Sequence, residues 1–330
     1  MILYNDIRKV HIELSTRCNA ACPDCPRNFR GVDVLETYPK CELSLEDIQF
    51  IFDETFVKQL DQILINGNLG DFVTAKDGLK IVEYFRATNS RAHIEISTNG
   101  SAKPNIWEPL AKFGVQVDFR IDGLSGTHKL YRQNTDFDFI IENAVKYINA
   151  GGNASWLWIV FDHNRHQIEE GRTLAKQLGF REFRVIDHGR NTMPVFTPDK
   201  RLSHLIGDYR GDINFDNLLE QRMLYKIDPY GPVRTEKNSY TIDCYAKKHS
   251  EIYISANGEV YPCCWLGYYP FHSNSRPSNV QLVEIVKNNN ALVHGLEQAI
   301  EYFSEIENSW TKNSVQDGKI YECNQTCGIK

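Results

Sequence analysis

Short apolar runs alternate with longer amphipathic segments between residues 9 and 200. The apolar runs predict strands at 9–14, 62–66, 93–98, 115–122, 156–161 and 183–187. The amphipathic segments predict helices at 44–60, 78–89, 104–114, 137–152 and 166–180. Six strands that alternate with helices favour a parallel sheet with right-handed crossovers, either open or curled into part of a barrel. In such sheets the chemistry lies beyond the carboxyl ends of the strands.

The pattern changes after residue 200. A polar, turn-rich stretch over 201–240 indicates a linker or an irregular lobe. From 241 to 330 we expect a smaller α+β domain that begins with a hairpin, EIYISANGEVYPCCW, turning at Asn257-Gly258. A helical stretch over roughly 280–310 follows, and the chain ends at YECNQTCGIK.

Composition and charge narrow the possible partners. The net charge is −6 and the basic residues are scattered, which disfavours nucleic acid as a partner. No window approaches eighteen uninterrupted apolar residues, and the first residues lack the features of a signal peptide, so we expect a cytoplasmic protein without a membrane span. Thiols stay reduced in that compartment. The nine cysteines therefore indicate metal or iron–sulfur ligation rather than disulfides.

The first cysteine group follows the first predicted strand. Three residues separate Cys18 from Cys22, and two separate Cys22 from Cys25. Three thiolates on a tight loop can hold three irons of a [4Fe–4S] cluster and leave the fourth iron open, as in a catalytic centre. A structural zinc site would need a fourth ligand, for which His11 and Cys41 are the nearest candidates, and idle thiols are the remaining alternative.

With this spacing, placed after the first of six β/α units, the chain resembles the radical S-adenosylmethionine (SAM) superfamily. The resemblance implies a partial (β/α)6 TIM-like barrel over residues 1–200 and a catalytic [4Fe–4S] cluster on Cys18, Cys22 and Cys25. It also implies that the open iron binds the amino and carboxylate groups of SAM. One electron then yields a 5′-deoxyadenosyl radical, which abstracts a hydrogen atom from the substrate. The electron would come from a donor such as flavodoxin or ferredoxin.

Two further segments are similar to the family's SAM-binding stretches: INGNLGD after the second strand and FRIDGLSGTHKLYRQN after the fourth. They and the end of the third strand give the expected SAM-binding residues: Gly67, Gly70, Asp71, Ser97, Asp122 and Arg132. The two glycines would allow close backbone approach, and Asp71 would accept from the SAM ammonium. Arg132 would pair with the SAM carboxylate. The alternatives are an ordinary turn for the glycines and a solvated helix position for the arginine.

Two positions depart from the family pattern. Asp24 stands where relatives usually carry an aromatic or apolar residue near the adenine, so the packing would come from Ile159 or Val160. Arg120 stands where many relatives carry a small polar residue that faces the ribose, and Asp122 is a substitute candidate for that contact.

The second cysteine group resembles the auxiliary-cluster domain called twitch, a shortened relative of the SPASM domain. Four thiolates would fully ligate a second [4Fe–4S] cluster: Cys244, Cys263, Cys323 and Cys327. Gly258 would form the hairpin turn that brings the first two together. A structural zinc could use the same four residues. Cys264 competes with Cys263 as the ligand, and Cys41 is interpreted as a bystander.

The resemblance indicates the type of reaction more specifically than it indicates the substrate. Enzymes of this architecture modify peptides, oxidise protein side chains, or dehydrogenate sugars and aminocyclitols. A single auxiliary cluster suits a net oxidation, so we expect oxidative modification of a peptide or protein side chain, with small-molecule dehydrogenation as the alternative. About eight residues precede the first strand, which disfavours a fused leader-peptide-binding module. The alternative from another class is a zinc-stabilised binding protein.

Overall fold

One large sheet organises the protein. The computed structural model describes residues 2–25, 27–33, 40–187, 192–224, 240–268, 281–283 and 285–329. The sheet has eight strands, labelled in chain order: β1 Lys9–Ile12, β2 Gln62–Ile65, β3 His93–Thr98, β4 Gln116–Arg120, β5 Asn153–Ile159, β6 Glu182–Ile186, β7 Glu251–Ile254 and β8 Val260–Tyr261. Their spatial order is β8-β7-β1-β2-β3-β4-β5-β6, and all neighbours are parallel except β7 and β8. The predicted α/β partial barrel, with six alternating strands, is confirmed.

Helices connect consecutive strands of the barrel. Their bounds are Leu45–Ile51, Glu54–Gln59, Gly78–Thr88, Trp107–Lys112, His128–Tyr131, Phe137–Asn149 and Ile168–Leu178. The helix predicted over 44–60 is two helices, because Asp53 accepts a hydrogen bond from the backbone N–H of Phe56 and starts a second helix there. Ser44 starts the first with a capping box that includes Asp47.

The two faces of the sheet differ in chemistry. Alternate strand residues such as Ile63, Ile94, Val117 and Trp156 pack against the helices in the main apolar core. The opposite face, which we call the inner face, is polar along much of its width. It carries His11, Glu95, Ser97, Asp118, Arg120, Ser155 and Arg184. A polar inner face is prepared to receive a polar ligand rather than to pack as a dry core.

The stretch predicted as a linker or irregular lobe contains regular structure where it is described. Strand Leu202–Ile206 pairs with strand Met193–Phe196, and helix Phe215–Leu224 follows. Residues 225–239 lie outside the described residues. Phe215 and Leu218 pack against Phe29 and Val32, so this stretch covers the chain just after the first cysteine group.

The carboxyl-terminal hairpin extends the large sheet. Strand β7 pairs in parallel with β1 and continues through an Asn257-Gly258 turn into β8, with Gly258 at φ 84°. The helical stretch predicted over 280–310 is a series of short helices where it is described, including Ala291–His294, Leu296–Ala299 and Phe303–Ser309. Gly295, at φ 76°, separates the first two of these. No helix in the described ranges is long and apolar enough to cross a bilayer.

Candidate active site

The first cysteine loop leaves the carboxyl end of β1 and lies against the ends of the other strands. The N–H of Cys25 donates to the carbonyl of Cys22 at 3.0 Å, and the N–H of Ala21 donates to the carbonyl of Gln133, also at 3.0 Å. All three thiols join one apolar cluster, with Ala20, Tyr131, Ile159, Phe161, Met193, Val195 and Ile206. The strand Met193–Phe196 and its partner therefore help to enclose this loop.

The three thiols have the chemistry of a donor set for a positively charged centre. Burial, followed by nearby negative charge from Asp71 at Cys18 and from Cys22 at Cys25, raises the pKa of Cys18 and of Cys25 to about 12. Buried thiols this close together ionise readily only when a cation compensates them. Within the described ranges no three His, Cys, Asp or Glu side chains are arranged to hold one metal ion. A [4Fe–4S] cluster differs from a single ion because each thiolate binds a different iron.

Arg132 lies beside the cysteine loop and is fixed by Asp122. Its Nε donates to Asp122 Oδ2 at 2.6 Å, and its Nη1 lies 3.7 Å from the sulfur of Cys22. Asp122 is fully buried and also accepts from the N–H of Ile159 at 2.6 Å. Burial lowers the pKa of Arg132, but the Asp122 carboxylate outweighs it and the net shift is upward. Arg132 is therefore a permanent, oriented positive charge at the cysteines.

The glycines of INGNLGD are required because neighbouring backbone leaves no room for a side chain. A Cβ at Gly70 would lie 1.6 Å from the carbonyl oxygen of Ser15, and a Cβ at Gly67 would lie 2.3 Å from the carbonyl oxygen of Gly70. The loop after β2 thus packs its backbone directly against the backbone after β1. The predicted close approach exists, and the structure shows it towards Ser15; contact with SAM stays a prediction.

Asp71 is buried, and both of its carboxylate oxygens are engaged. Oδ1 accepts from the hydroxyl of Thr98 at 2.6 Å, and Oδ2 accepts from the N–H of Asn99 at 2.8 Å. Burial raises the pKa of Asp71 despite these bonds. The side chain therefore joins the glycine loop to the end of β3, next to Asn99, whose Nδ2 lies 3.7 Å from the sulfur of Cys18.

Sequence reasoning missed Glu13. It follows β1 and is buried, with 1% of its surface exposed. Its Oε1 accepts from the N–H groups of Leu69 and Gly70 at 2.7 Å each, and its Oε2 accepts from the hydroxyl of Tyr253 at 2.7 Å. A signal existed in the run HIEL, where His11 and Glu13 alternate with apolar residues and so share the inner face.

Ser97 and Arg120 face each other across β3 and β4. The Nε of Arg120 donates to Ser97 Oγ at 2.7 Å, so Ser97 faces the inner side of the sheet, and its contact with SAM stays a prediction. Asp24, the departure noted in the cysteine loop, is exposed. Of the two residues expected to replace it, Ile159 packs with Cys22 in the cysteine cluster, whereas Val160 belongs to the core on the helix side.

The second cysteine group lines one cavity. Its wall includes the four predicted ligands Cys244, Cys263, Cys323 and Cys327, together with Pro262, Trp265, Leu266, Ile306, Trp310, Glu322 and Thr326. The thiol of Cys244 donates to the sulfur of Cys327, which lowers the pKa of Cys327. Cys264 does not line this cavity; after burial, the strongest influence on its pKa is Glu251, which raises it. Four thiols around one largely apolar cavity fit a fully ligated cluster.

The two cysteine sites are connected through the glycine loop. The Nδ2 of Asn68 donates to the carbonyl of Cys264 at 2.8 Å. Glu13 joins the same loop to Tyr253 on β7. Cys41 lies outside both cysteine groups, where its N–H donates to the hydroxyl oxygen of Thr16. The glycine loop, which is bonded to Glu13 ahead of the first group, is therefore also hydrogen-bonded to the backbone of the second group.

Comparison with solved structures finds the same fold in proteins determined with SAM bound. SuiB from Streptococcus suis, bound to SAM, gives a TM-score of 0.56 at 14% identity over 90% of this chain and 64% of SuiB. Native anSMEcpe with bound SAM gives a TM-score of 0.55 at 14% identity over 94% of this chain and 88% of that protein. The chain thus spans less than two thirds of the length of SuiB. No family model and no curated protein matches the sequence. The chain therefore has the fold of these SAM-bound proteins, with SuiB and anSMEcpe among its structural neighbours.

Proposed function

We propose that the protein is a radical SAM enzyme whose catalytic [4Fe–4S] cluster is held by Cys18, Cys22 and Cys25. The observation that carries the proposal is the set of three thiols, buried Cys22 and half-buried Cys18 and Cys25, on one loop at the carboxyl edge of the barrel, beside the fixed guanidinium of Arg132. When bound, the cluster supplies the electron that cleaves SAM to methionine and a 5′-deoxyadenosyl radical, which abstracts a hydrogen atom from the substrate. SAM-bound neighbours with the same fold support this function.

The residues around the cysteines bind and orient SAM, and they exclude water. Asp122 holds Arg132 so that its remaining N–H groups are available to the carboxylate of SAM. Glu13 and Asp71 fix the glycine loop, which presents backbone groups to the SAM ammonium. The apolar side chains packed around the thiols keep water from the site of a reactive radical.

We further propose that Cys244, Cys263, Cys323 and Cys327 hold an auxiliary [4Fe–4S] cluster in a twitch-like domain. Their common cavity supports this assignment, and exclusion from the cavity argues against Cys264 as a ligand. A cluster without an open iron suits electron removal from a substrate radical. Residues 1–200 would then form the SAM-binding core and 241–330 the auxiliary domain, with a flavodoxin or ferredoxin supplying the electron.

The substrate class that we propose is a peptide or protein side chain, modified oxidatively. Two structural neighbours support a peptide: SuiB bound to its precursor peptide SuiA, with a TM-score of 0.54, and anSMEcpe bound to SAM and the Cp18Cys peptide, also 0.54. A polar inner face suits such a substrate because a peptide brings amide and charged groups that need partners.

Anaerobic reconstitution tests both cluster assignments. The wild-type protein should be brown, contain about eight irons and release 5′-deoxyadenosine from SAM under dithionite. The Cys18→Ala/Cys22→Ala/Cys25→Ala variant should keep about half of the iron and release none. Cys41→Ala is the matched control and should behave as the wild type. Colourless protein with stoichiometric zinc would overturn the enzyme proposal.

The same iron measurement shows which of the two adjacent cysteines is the cluster ligand. Cys263→Ser should lose the auxiliary iron, because that thiol lines the cavity, whereas Cys264→Ser should keep it. Loss of iron from Cys264→Ser alone would show that the hairpin presents the other thiol.

A further inference from the structure

Arg120 is an unusual charge on the inner face of the barrel. It is the last residue of β4 and is partly buried, and its Nε donates to Ser97 Oγ at 2.7 Å. Among the described residues it forms no ion pair, and the bond to Ser97 is its one hydrogen bond. Because Nε makes that bond, the edge of the guanidinium formed by Nη1 and Nη2 has no partner there. That edge can bind both oxygens of a carboxylate.

The neighbouring charges leave Arg120 uncompensated. Four charged side chains act on it: Arg132, Asp118, Asp122 and Arg184. The two carboxylates are already used, because Asp122 pairs with Arg132 at 2.6 Å and Asp118 pairs with Arg184 at 2.5 Å. Each of these ion pairs is neutral overall, so neither compensates the positive charge of Arg120.

Glu95, a further carboxyl group on the inner face, interacts with Asp118, Arg184 and Lys9 rather than with Arg120. Burial, and then the carboxylate of Asp118, raise the pKa of Glu95 to about 7, so near neutral pH it is only partly ionised. An uncompensated guanidinium on a partly buried face is costly unless a ligand brings an anion.

We propose that Arg120 binds a carboxylate of the substrate on the inner face of the barrel. This inference rests on the proposed function and names a substrate feature: an acidic side chain or a terminal carboxylate of the modified peptide. The carboxylate of SAM is a poorer candidate, because the proposed mode of binding places it at the open iron. That position is beside Arg132, whose guanidinium lies 3.7 Å from the sulfur of Cys22, whereas Arg120, the last residue of β4, is bonded to Ser97 of β3.

Isothermal titration of the reconstituted full chain tests the proposal with defined probes. N-acetylglutamate should bind, while its neutral counterpart without a carboxylate, N-acetylglutamine α-amide, should not. Arg120→Gln should weaken N-acetylglutamate at least about tenfold, the usual worth of a charge-assisted hydrogen bond. Ser97→Ala keeps the charge but removes its anchor, and should weaken binding about fivefold. Arg91→Gln, at an exposed arginine, is the matched control and should change nothing.

Each other outcome counts against the proposal. Equal binding by wild type and a folded Arg120→Gln, or by N-acetylglutamate and N-acetylglutamine α-amide, would overturn it. Binding of inorganic phosphate but not of N-acetylglutamate would exclude a carboxylate. Loss of N-acetylglutamate binding when S-adenosylhomocysteine is added would assign Arg120 to SAM instead. Iron content and 5′-deoxyadenosine release, measured on the wild type, test the proposed function separately, so either can fail alone.

Discussion

Removal of the Glu13 carboxylate should destabilise the protein more than any surface substitution. Glu13→Ala leaves three donors without their acceptor: the N–H groups of Leu69 and Gly70 and the hydroxyl of Tyr253. An unsatisfied buried donor costs about 1–3 kcal/mol, so for three donors we expect a loss of about 3–9 kcal/mol in the free energy of unfolding. Tyr253→Phe leaves one carboxylate oxygen without a donor and should cost about 1 kcal/mol.

The double variant gives the sharper test. In Glu13→Ala/Tyr253→Phe neither the hydroxyl nor the carboxylate is left unpaired, and two unsatisfied N–H groups remain. The sum of the two single losses counts an unpaired hydroxyl and an unpaired carboxylate oxygen that the double variant lacks, so its loss should be about 2–4 kcal/mol smaller than that sum. Glu13→Gln should recover most of the stability, because one side-chain oxygen can still accept from both N–H groups.

Urea denaturation under anaerobic conditions measures the free energy of unfolding of all four variants. Glu54→Ala is the control, since Glu54 forms an exposed pair with Lys58 four residues away and should cost about 0.5 kcal/mol or less. Additive losses for Glu13 and Tyr253, within about 0.5 kcal/mol, would refute the reasoning that the two side chains share one buried hydrogen-bond network.

Two further predictions concern the glycine loop and pH. Gly70→Ala should abolish SAM binding measured by titration, because its methyl group would lie 1.6 Å from Ser15 oxygen, whereas Gly126→Ala, with open space around it, should bind as the wild type; equal affinity would show that the loop moves freely. The pKa of Glu95, about 7, exceeds its ordinary value, so the folded state binds a proton that the unfolded chain releases, and stability should fall as pH rises from about 4 to about 7 and then level off. In Glu95→Gln the thermal midpoint should no longer fall with pH over that window. An unchanged slope would assign the pH dependence to another group.

Local sequence patterns were enough to predict the parallel strands and both cysteine groups, and the family resemblance added the partial barrel. Strand periodicity located all six barrel strands, and cysteine spacing located thiols that do share an apolar cluster or a cavity. Contacts between distant segments were not predictable in this way. Glu13 looked like one polar residue in a strand until the fold brought Tyr253 and the glycine loop to it. Likewise, only packing distinguishes Cys263 from Cys264, which adjacent positions cannot.

The pairing of β7 with β1 has a consequence for how the chain folds during synthesis. Strand β1 is the first strand made, yet β7 covers one of its edges only after residues 251–254 emerge. At ordinary rates of translation that delay is on the order of ten to fifty seconds. Throughout it, a nascent barrel would offer a bare strand edge, open to pairing with another chain. The carboxyl-terminal hairpin thus also protects the barrel from aggregation, and a chain ended at residue 240 should aggregate during expression.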